Sequence, residues 1–325
     1  MNHPCSWRSL GAWGLAATLT GCLPAAEPQP STSLAGDALG ALHAQYGVAA
    51  QVFTYNPQRV DVFRTASGGV LATGSQAFLD LSSSSPAPGP LRLEVREVLT
   101  RADMLLSGRP SMGNGQVLES GGQFLVQAST ADNRLLRLSP HVKLGLATPI
   151  PARLSAYYAI MLYAPDAPGN LAFNWVPATD TASSVGTSPA LYTGDPVYFR
   201  CLIAKGLYDS NGGWLSFAQP IYTGYAPVGV RVRTGQSAAD AANSAVYLVF
   251  HDYNAVAQLA PSGRGNFELA DVPSATAVTV LALYSAAGKL YFGQREDTVR
   301  AGRTFDVTLT ERNTADVVAE LKRFQ

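Results

Sequence analysis

The chain has 325 residues, of which 47% are hydrophobic, and this length and composition suit two or more globular domains. Its 23 Lys and Arg residues balance its 23 Asp and Glu residues, and this neutral charge without a basic run excludes an electrostatic surface for nucleic acid. Charged residues make up only 14%, whereas Gly (30) and Pro (21) are plentiful, which favours short strands joined by many turns.

The N-terminus combines a positive end with a short apolar run. Arg8 and the terminal amine supply the charge, and the run extends from Leu10 to Leu19. It is shorter than the about 20 residues that span a bilayer, so the pattern predicts a signal peptide over 1–21. The run ends in the letters LTGC at Cys22, which resemble the lipobox of bacterial lipoproteins. The resemblance implies a lipid on the Cys22 thiol; the alternative is an ordinary secretory signal with an incidental cysteine.

The residues after Cys22 bear on where the protein is anchored. No acidic cluster follows this cysteine, and Glu27 stands alone. By analogy with lipoprotein sorting, this favours the outer membrane of the cell envelope. Residues 22–46 are interpreted as the lipidated cysteine, a flexible Pro/Ser/Ala tether and a short helix that ends before Gly47. Several acyl chains, at about 0.8 kcal/mol per buried methylene, suffice for stable membrane anchoring.

Between residues 47 and 150, apolar residues recur with period two, as they do in β-strands. The clearest strand runs from Leu91 to Val98, with leucine and valine on one face and charged residues on the other. This strand belongs to the run LRLEVREVLTRADMLLSG, which follows a strand-like segment from Gly69 to Phe78. Together these features resemble ZU5-like β-sandwich modules of bacterial lipoproteins. The resemblance implies a fold and no activity.

The segment 151–226 is rich in aromatic residues. Thirteen of the 30 aromatic residues lie between Tyr157 and Tyr225. Aromatic rings offer flat apolar faces to sugars and peptides, although most aromatic residues of strands belong to cores. Both interpretations stay open. The candidate ligand-contact residues are Tyr157, Trp175 and Trp214.

The segment 227–325 shows a second β pattern followed by a helix. The letters GNFELADVP at 265–273 precede a long apolar strand and the letters YFG at 291–293. This order resembles the transthyretin-like regulatory module found beside carboxypeptidases, although Ser274 replaces the usual glycine after the proline. The resemblance implies a non-catalytic β-sandwich. Residues 314–325 predict a C-terminal helix whose apolar stripe docks on a domain.

Cysteine and histidine offer few sites for chemistry. Cys201 alternates with apolar residues of a predicted strand, so we expect a buried and inert thiol. The histidines His43, His141 and His251 are far apart and show no metal-ligand spacing. We therefore predict no metal site and no cofactor.

Glu97 is the acid whose position in the pattern is unusual, because it continues the apolar face of its strand. A catalytic pair of Glu97 with Asp103 would need both carboxylates to face one cleft. The favoured interpretation is that Glu97 accepts hydrogen bonds from the turn that it precedes. The letters TRAD, from Thr100 to Asp103, predict a capping box at the start of a short helix.

The sequence thus predicts a mainly β protein, with two or more β-sandwich domains after a lipoprotein signal peptide and a short C-terminal helix. Its segments are 1–21, 22–46, 47–150, 151–226 and 227–325. We expect no catalytic residues. The predicted function is a non-catalytic binding or structural role at the cell envelope, with the membrane bound through Cys22 and an envelope protein or glycan as partner. The alternative is a hydrolase of envelope polysaccharide or peptidoglycan that uses a carboxylate or His251 as acid or base.

Overall fold

The computed structural model describes residues 37–150, 154, 160–166, 174–188, 198–210, 213–221, 224–235 and 243–325. The predicted signal peptide, Cys22 and Tyr157 lie outside these residues. Those that are described form a mainly β structure, as predicted. Among them, no helix has the length and apolar character needed to cross a membrane.

The elements of the first part of the chain are, in order, α1 (Asp37–Tyr46), β1 (Gln51–Tyr55), β2 (Asp61–Arg64), β3 (Val70–Thr73), β4 (Phe78–Asp80), β5 (Leu91–Val98), α2 (Arg101–Leu106), β6 (Met112–Gly113), β7 (Gln116–Ser129), β8 (Leu136–Leu138), β9 (Leu144–Pro149), β10 (Met161–Pro165), β11 (Trp175–Pro177), β12 (Ser184–Ser188), β13 (Tyr198–Ile203), α3 (Lys205–Ser210) and β14 (Trp214–Pro220). The later elements are β15 (Val228–Arg233), β16 (Ser244–Phe250), β17 (Val256–Gln258), β18 (Ala260–Gly263), β19 (Asn266–Val272), β20 (Ala277–Ala286), β21 (Lys289–Thr298), β22 (Thr304–Asp306), β23 (Thr310–Arg312) and α4 (Thr314–Leu321).

Two sheets form the first sandwich. One has the order β1-β5-β7-β14-β10-β11 with β6 beside β7, and the other has the order β12-β13-β9-β3-β2. Their facing side chains share one apolar core, which includes Phe124, Phe199 and Phe217. The alternation seen in β5 explains this arrangement, because Leu91 and its apolar neighbours at every second position are buried while the intervening charged residues are not. Both sheets contain strands from the segments 47–150 and 151–226.

The second sandwich is built from the strands after residue 227. Its sheets have the orders β18-β19-β15-β22 and β17-β16-β20-β21-β23. Strands β16 and β20 pair over seven residues and are buried on both faces, so their sequences are almost continuously apolar. One face of this second sheet contributes Val246, Leu248 and Phe250 to the core between the sheets.

Three helices cover the other face of the β16–β20 sheet. Leu39 of α1, Leu105 of α2 and Leu321 of α4 belong to one apolar cluster with Tyr247 and Leu281 of the sheet. The predicted helix over 314–325 is observed as α4, with its apolar stripe buried. The helices therefore fill the space between the two sandwiches and bury a sheet face that would otherwise be exposed.

Hydrogen bonds join the sandwiches beside this cluster. The side-chain amide of Asn254 donates to the carbonyl oxygens of Leu99 (2.9 Å) and Ser120 (2.8 Å). The backbone N–H of Ser111 donates to the carbonyl of Val256 at 2.8 Å, and the N–H of Val256 donates to the Ser111 hydroxyl at 2.9 Å. These bonds satisfy polar groups that the interface buries.

Replacing Leu321 by alanine should lower the free energy of unfolding by about 2–4 kcal/mol, because its side chain is 1% exposed and truncation leaves a cavity under α4. Urea unfolding followed by circular dichroism measures this loss. Lys322→Ala, at the exposed C-cap residue of the same helix, should change stability by less than about 0.5 kcal/mol. Equal effects of the two substitutions would contradict the packing of α4 described above.

Candidate functional site

The carboxylate of Glu97 is buried and hydrogen-bonded within the first sandwich. It accepts hydrogen bonds from the hydroxyls of Thr65 (2.8 Å) and Ser67 (2.7 Å) and from the side-chain amide of Gln51 (2.9 Å). These donors differ from the predicted ones, since the turn after Glu97 donates to Asp103 instead. Glu97 therefore holds the β2–β3 turn against strand β1, which is a structural use of a buried acid.

The capping box predicted at Thr100 is confirmed. The Thr100 hydroxyl accepts a hydrogen bond from the N–H of Asp103 at 3.1 Å, and the Asp103 carboxylate accepts from the N–H groups of Thr100 (2.9 Å) and Leu99 (3.2 Å). Both partners satisfy N–H groups that have no acceptor within the helix. Asp103 and Glu97 thus belong to two separate hydrogen-bond networks.

Cys201 is buried, as predicted. Its side chain is 2% exposed and belongs to the core between the two sheets of the first sandwich. Burial raises the pKa of this thiol well above its ordinary value. Because the thiolate is the nucleophilic form, the position favours an inert cysteine.

His251 lies in a small polar cavity at the end of the helical layer. The cavity has a volume of about 230 Å³ and is lined by Arg101, His251, Thr279, Gln294, Glu296, Glu320, Arg323 and Phe324. The Nε2 atom of His251 is 2.8 Å from the Thr279 hydroxyl, and the guanidinium of Arg101 donates to the His251 carbonyl at 3.3 Å. Glu320, which also lines the cavity, forms an ion pair with Arg323 at 2.8 Å. A histidine and two glutamates therefore line the same cavity.

Two of the three candidate ligand-contact aromatics belong to one cluster. Trp175 is 0% exposed and packs with Leu118 and Tyr163, and its indole N–H donates to the Pro110 carbonyl at 3.1 Å. Trp214 is half-buried against the same cluster. A ligand-binding role for these rings stays a prediction, and Tyr157 lies outside the described residues.

Arg109 and His43 form a second titratable cluster, next to Trp214. The guanidinium carbon of Arg109 lies 4.1 Å from the centre of the Trp214 ring, in cation–π geometry. Burial, with a smaller contribution from the charge of Arg96, lowers the pKa of Arg109 to about 10. Burial and the charge of Arg109 lower the pKa of the nearby His43 to about 4. Sequence reasoning missed this cluster because its members come from three distant segments.

The outward side of the β12-β13-β9-β3-β2 sheet is the feature that most resembles a binding surface. Its cross-strand registers place side chains in two adjacent rows. The first row contains Leu202, Gly145, Ala72 and Val62, and the second contains Arg200, Ala147, Val70 and Arg64. We call these eight residues the outer groove, because small or short side chains on β9 and β3 lie between longer ones on β13 and β2.

The outer groove exposes apolar side chains to solvent. Val62 is 62% exposed and Leu202 is 47% exposed. Among the described residues, Arg64 and Arg200 have neither an ion-pair nor a hydrogen-bond partner. Sequence reasoning missed this surface, although each wall strand shows an alternating pair of one arginine and one apolar residue.

Comparison of the chain with protein-family models, with curated proteins and with solved structures finds no match. Within the described residues, no group of three His, Cys, Asp or Glu side chains is arranged to hold a metal ion.

Acidification should destabilise the fold through His43. Its pKa falls from 6.5 to about 4 on folding, so between these values the unfolded state binds the proton and the folded state does not. Stability from this residue is complete above about pH 6.5 and falls by up to about 3 kcal/mol as the pH drops towards 4. Denaturant titrations at several pH values measure the slope.

The control is His43→Gln, which removes the titrating group. Other acids also contribute to the pH dependence, so the informative quantity is the difference between the two proteins. The variant should lose less stability than the wild type between pH 6.5 and pH 4. Identical slopes would show that His43 titrates normally in the folded protein.

Proposed function

We propose that the chain is a lipid-anchored protein of the cell envelope that acts by binding a partner, without catalysis. The observation that carries this proposal is the outer groove, where Val62 and Leu202 remain exposed beside two arginines. Exposed apolar side chains grouped with charged ones are typical of protein-interaction surfaces. The partner would be another envelope component.

Two further points support a non-catalytic role. Glu97, Asp103 and Cys201, the residues best suited to chemistry in the first sandwich, are engaged in the framework or buried. The segment 227–325 resembles transthyretin-like modules, which are non-catalytic in the families that carry them. The resemblance to ZU5-like modules over 47–150 also implies no activity.

Lipidation of Cys22 is the anchoring half of the proposal. Metabolic labelling with a fatty acid should mark the wild-type protein, and Cys22→Ser should remove the label, because only the thiol at the end of the lipobox-like sequence receives the lipid. Cys201→Ala is the matched control and should keep the label, since that thiol is buried. Label that persists in Cys22→Ser would refute the anchor. Fractionation of labelled membranes tests the outer-membrane location.

Binding through the outer groove is the second half. The double substitution Val62→Ser and Leu202→Ser should release the protein from its complex, because it removes the exposed apolar contacts. Sedimentation of the full-length protein from gently solubilised membranes measures the size of the complex. Val52→Ser is the control, since Val52 is 51% exposed but lies on a strand of the other sheet. A complex that survives the double substitution would contradict binding at this surface.

The His251 cavity favours a second candidate, a hydrolase of envelope polymers. The specific observation is that His251, Glu296 and Glu320 line one cavity with two arginines. A histidine beside carboxylates is a usual arrangement for acid–base catalysis. Release of soluble fragments from peptidoglycan or envelope polysaccharide, abolished by His251→Gln and by Glu296→Gln, would establish this candidate. Under the binding proposal, neither the wild type nor the variants release fragments.

A further inference from the structure

The shape of the outer groove limits what can lie in it. Its walls are the outward side chains of β13 and β2, which are separated by the strands β9 and β3. Three inter-strand spacings correspond to about 14 Å between the wall strands. An α-helix with its side chains is about 10–12 Å across, so a helix fits between the walls. The floor residues Gly145, Ala72 and Ala147 have no side chain or a short one, so the backbone of a helix can approach the sheet closely.

The length of the groove sets how much of a helix it can contact. Each floor strand contributes two outward positions, which span about 7 Å, so a helix that lies along the strands contacts the groove over little more than one turn. Layered β folds normally cover an apolar sheet face with helices or another sheet. The β16–β20 sheet of this protein follows this rule, since α1, α2 and α4 cover its apolar outer face.

Charge determines which helix would bind. Arg200 on one wall and Arg64 on the other lie in the same cross-strand row, so both sides of an occupant would face a guanidinium group. By contrast, the outward arginines of the β15 sheet are already compensated, with Arg231 3.8 Å from Glu268 and Arg233 2.8 Å from Asp306.

A third cation, Lys143, precedes β9 in phase with Gly145 and donates to the carbonyl of Ala182 at 2.6 Å. The carboxylate that interacts with it, Asp180, accepts hydrogen bonds from the N–H groups of Ala182 and Leu207. Asp180 thus compensates the charge of Lys143, whereas Arg64 and Arg200 remain available to acids of a partner.

We propose that the outer groove binds an acidic amphipathic helix of a partner protein, an inference that rests on the binding function proposed above. The apolar stripe of the helix would lie on the floor and against Val62 and Leu202. Carboxylates on both sides of that stripe would pair with Arg64 and Arg200. A second copy of this chain is a poor occupant, because two such faces would bring their arginines together.

Site-specific photo-crosslinking of the full-length protein in cells tests the proposal. A diazirine amino acid at Leu202 should form an adduct with a protein segment whose acids flank an apolar stripe at helical spacing. The same amino acid at Val52 is the control position, because its exposure is similar, at 51% against 47%. The combined substitutions Arg64→Glu and Arg200→Glu should reduce the adduct about tenfold or more. The conservative pair Arg64→Lys and Arg200→Lys should retain most of it.

The outcomes separate this inference from the function on which it rests. An adduct with a glycan, a lipid or a protein segment without such acids would overturn the acidic helix and leave binding at the groove intact. An adduct unaffected by the two charge reversals would overturn it as well. No adduct at Leu202 above that at Val52 would overturn both the helix and the groove as a binding surface. An acidic helical segment lost on charge reversal is the supporting result.

Discussion

Burial of Met104, Leu105 and Leu106 against the second sandwich is the interaction on which the rest of the structure depends. Each of these side chains is 5% exposed or less, and α2 directly follows strand β5 of the first sandwich. A helix of six residues has little stability of its own. It persists because the capping box satisfies its first N–H groups and because both neighbouring sandwiches bury its side chains. Loss of either support would remove the side chains of α2 from the cluster that also contains α1 and α4.

This packing leaves the large sheets with different outer surfaces. The β16–β20 sheet is covered by helices, and the β15 sheet carries the ion pairs of Arg231 and Arg233. Within the described residues, the outer groove combines exposed apolar side chains with arginines that have no partner. Exposure of apolar surface to water is unfavourable in free energy. We therefore expect a partner to cover the outer groove.

The sequence predicted the parts of the fold that are local. Alternation identified β5 and the buried side of Cys201, and the letters TRAD identified the cap of α2. Sequence could not predict which strands pair, because β14 joins β7 across about a hundred residues. For the same reason the donors to Glu97 were misassigned, since Thr65 approaches it through the pairing of distant strands rather than through the chain.

The surfaces were harder to predict than the elements. The outer groove combines β2, β3, β9 and β13, and the two arginines that define its charge are 136 positions apart by their numbering, Arg64 and Arg200. A pattern of one arginine and one apolar residue on a strand is common, so neither half is informative alone. Only the register of four strands brings the halves onto one face.

Helix α1 has a mechanical consequence for a chain held at its N-terminus. Tension applied there reaches α1 before the strands of either sandwich, and α1 is held to the sheet by side chains such as Leu39 and Leu42 rather than by strand hydrogen bonds. Such a contact detaches turn by turn, whereas paired strands resist as a unit. Detachment and unwinding would lengthen these ten residues from about 15 Å as a helix to about 35 Å when extended. Under such tension the helix would yield before either sandwich is loaded.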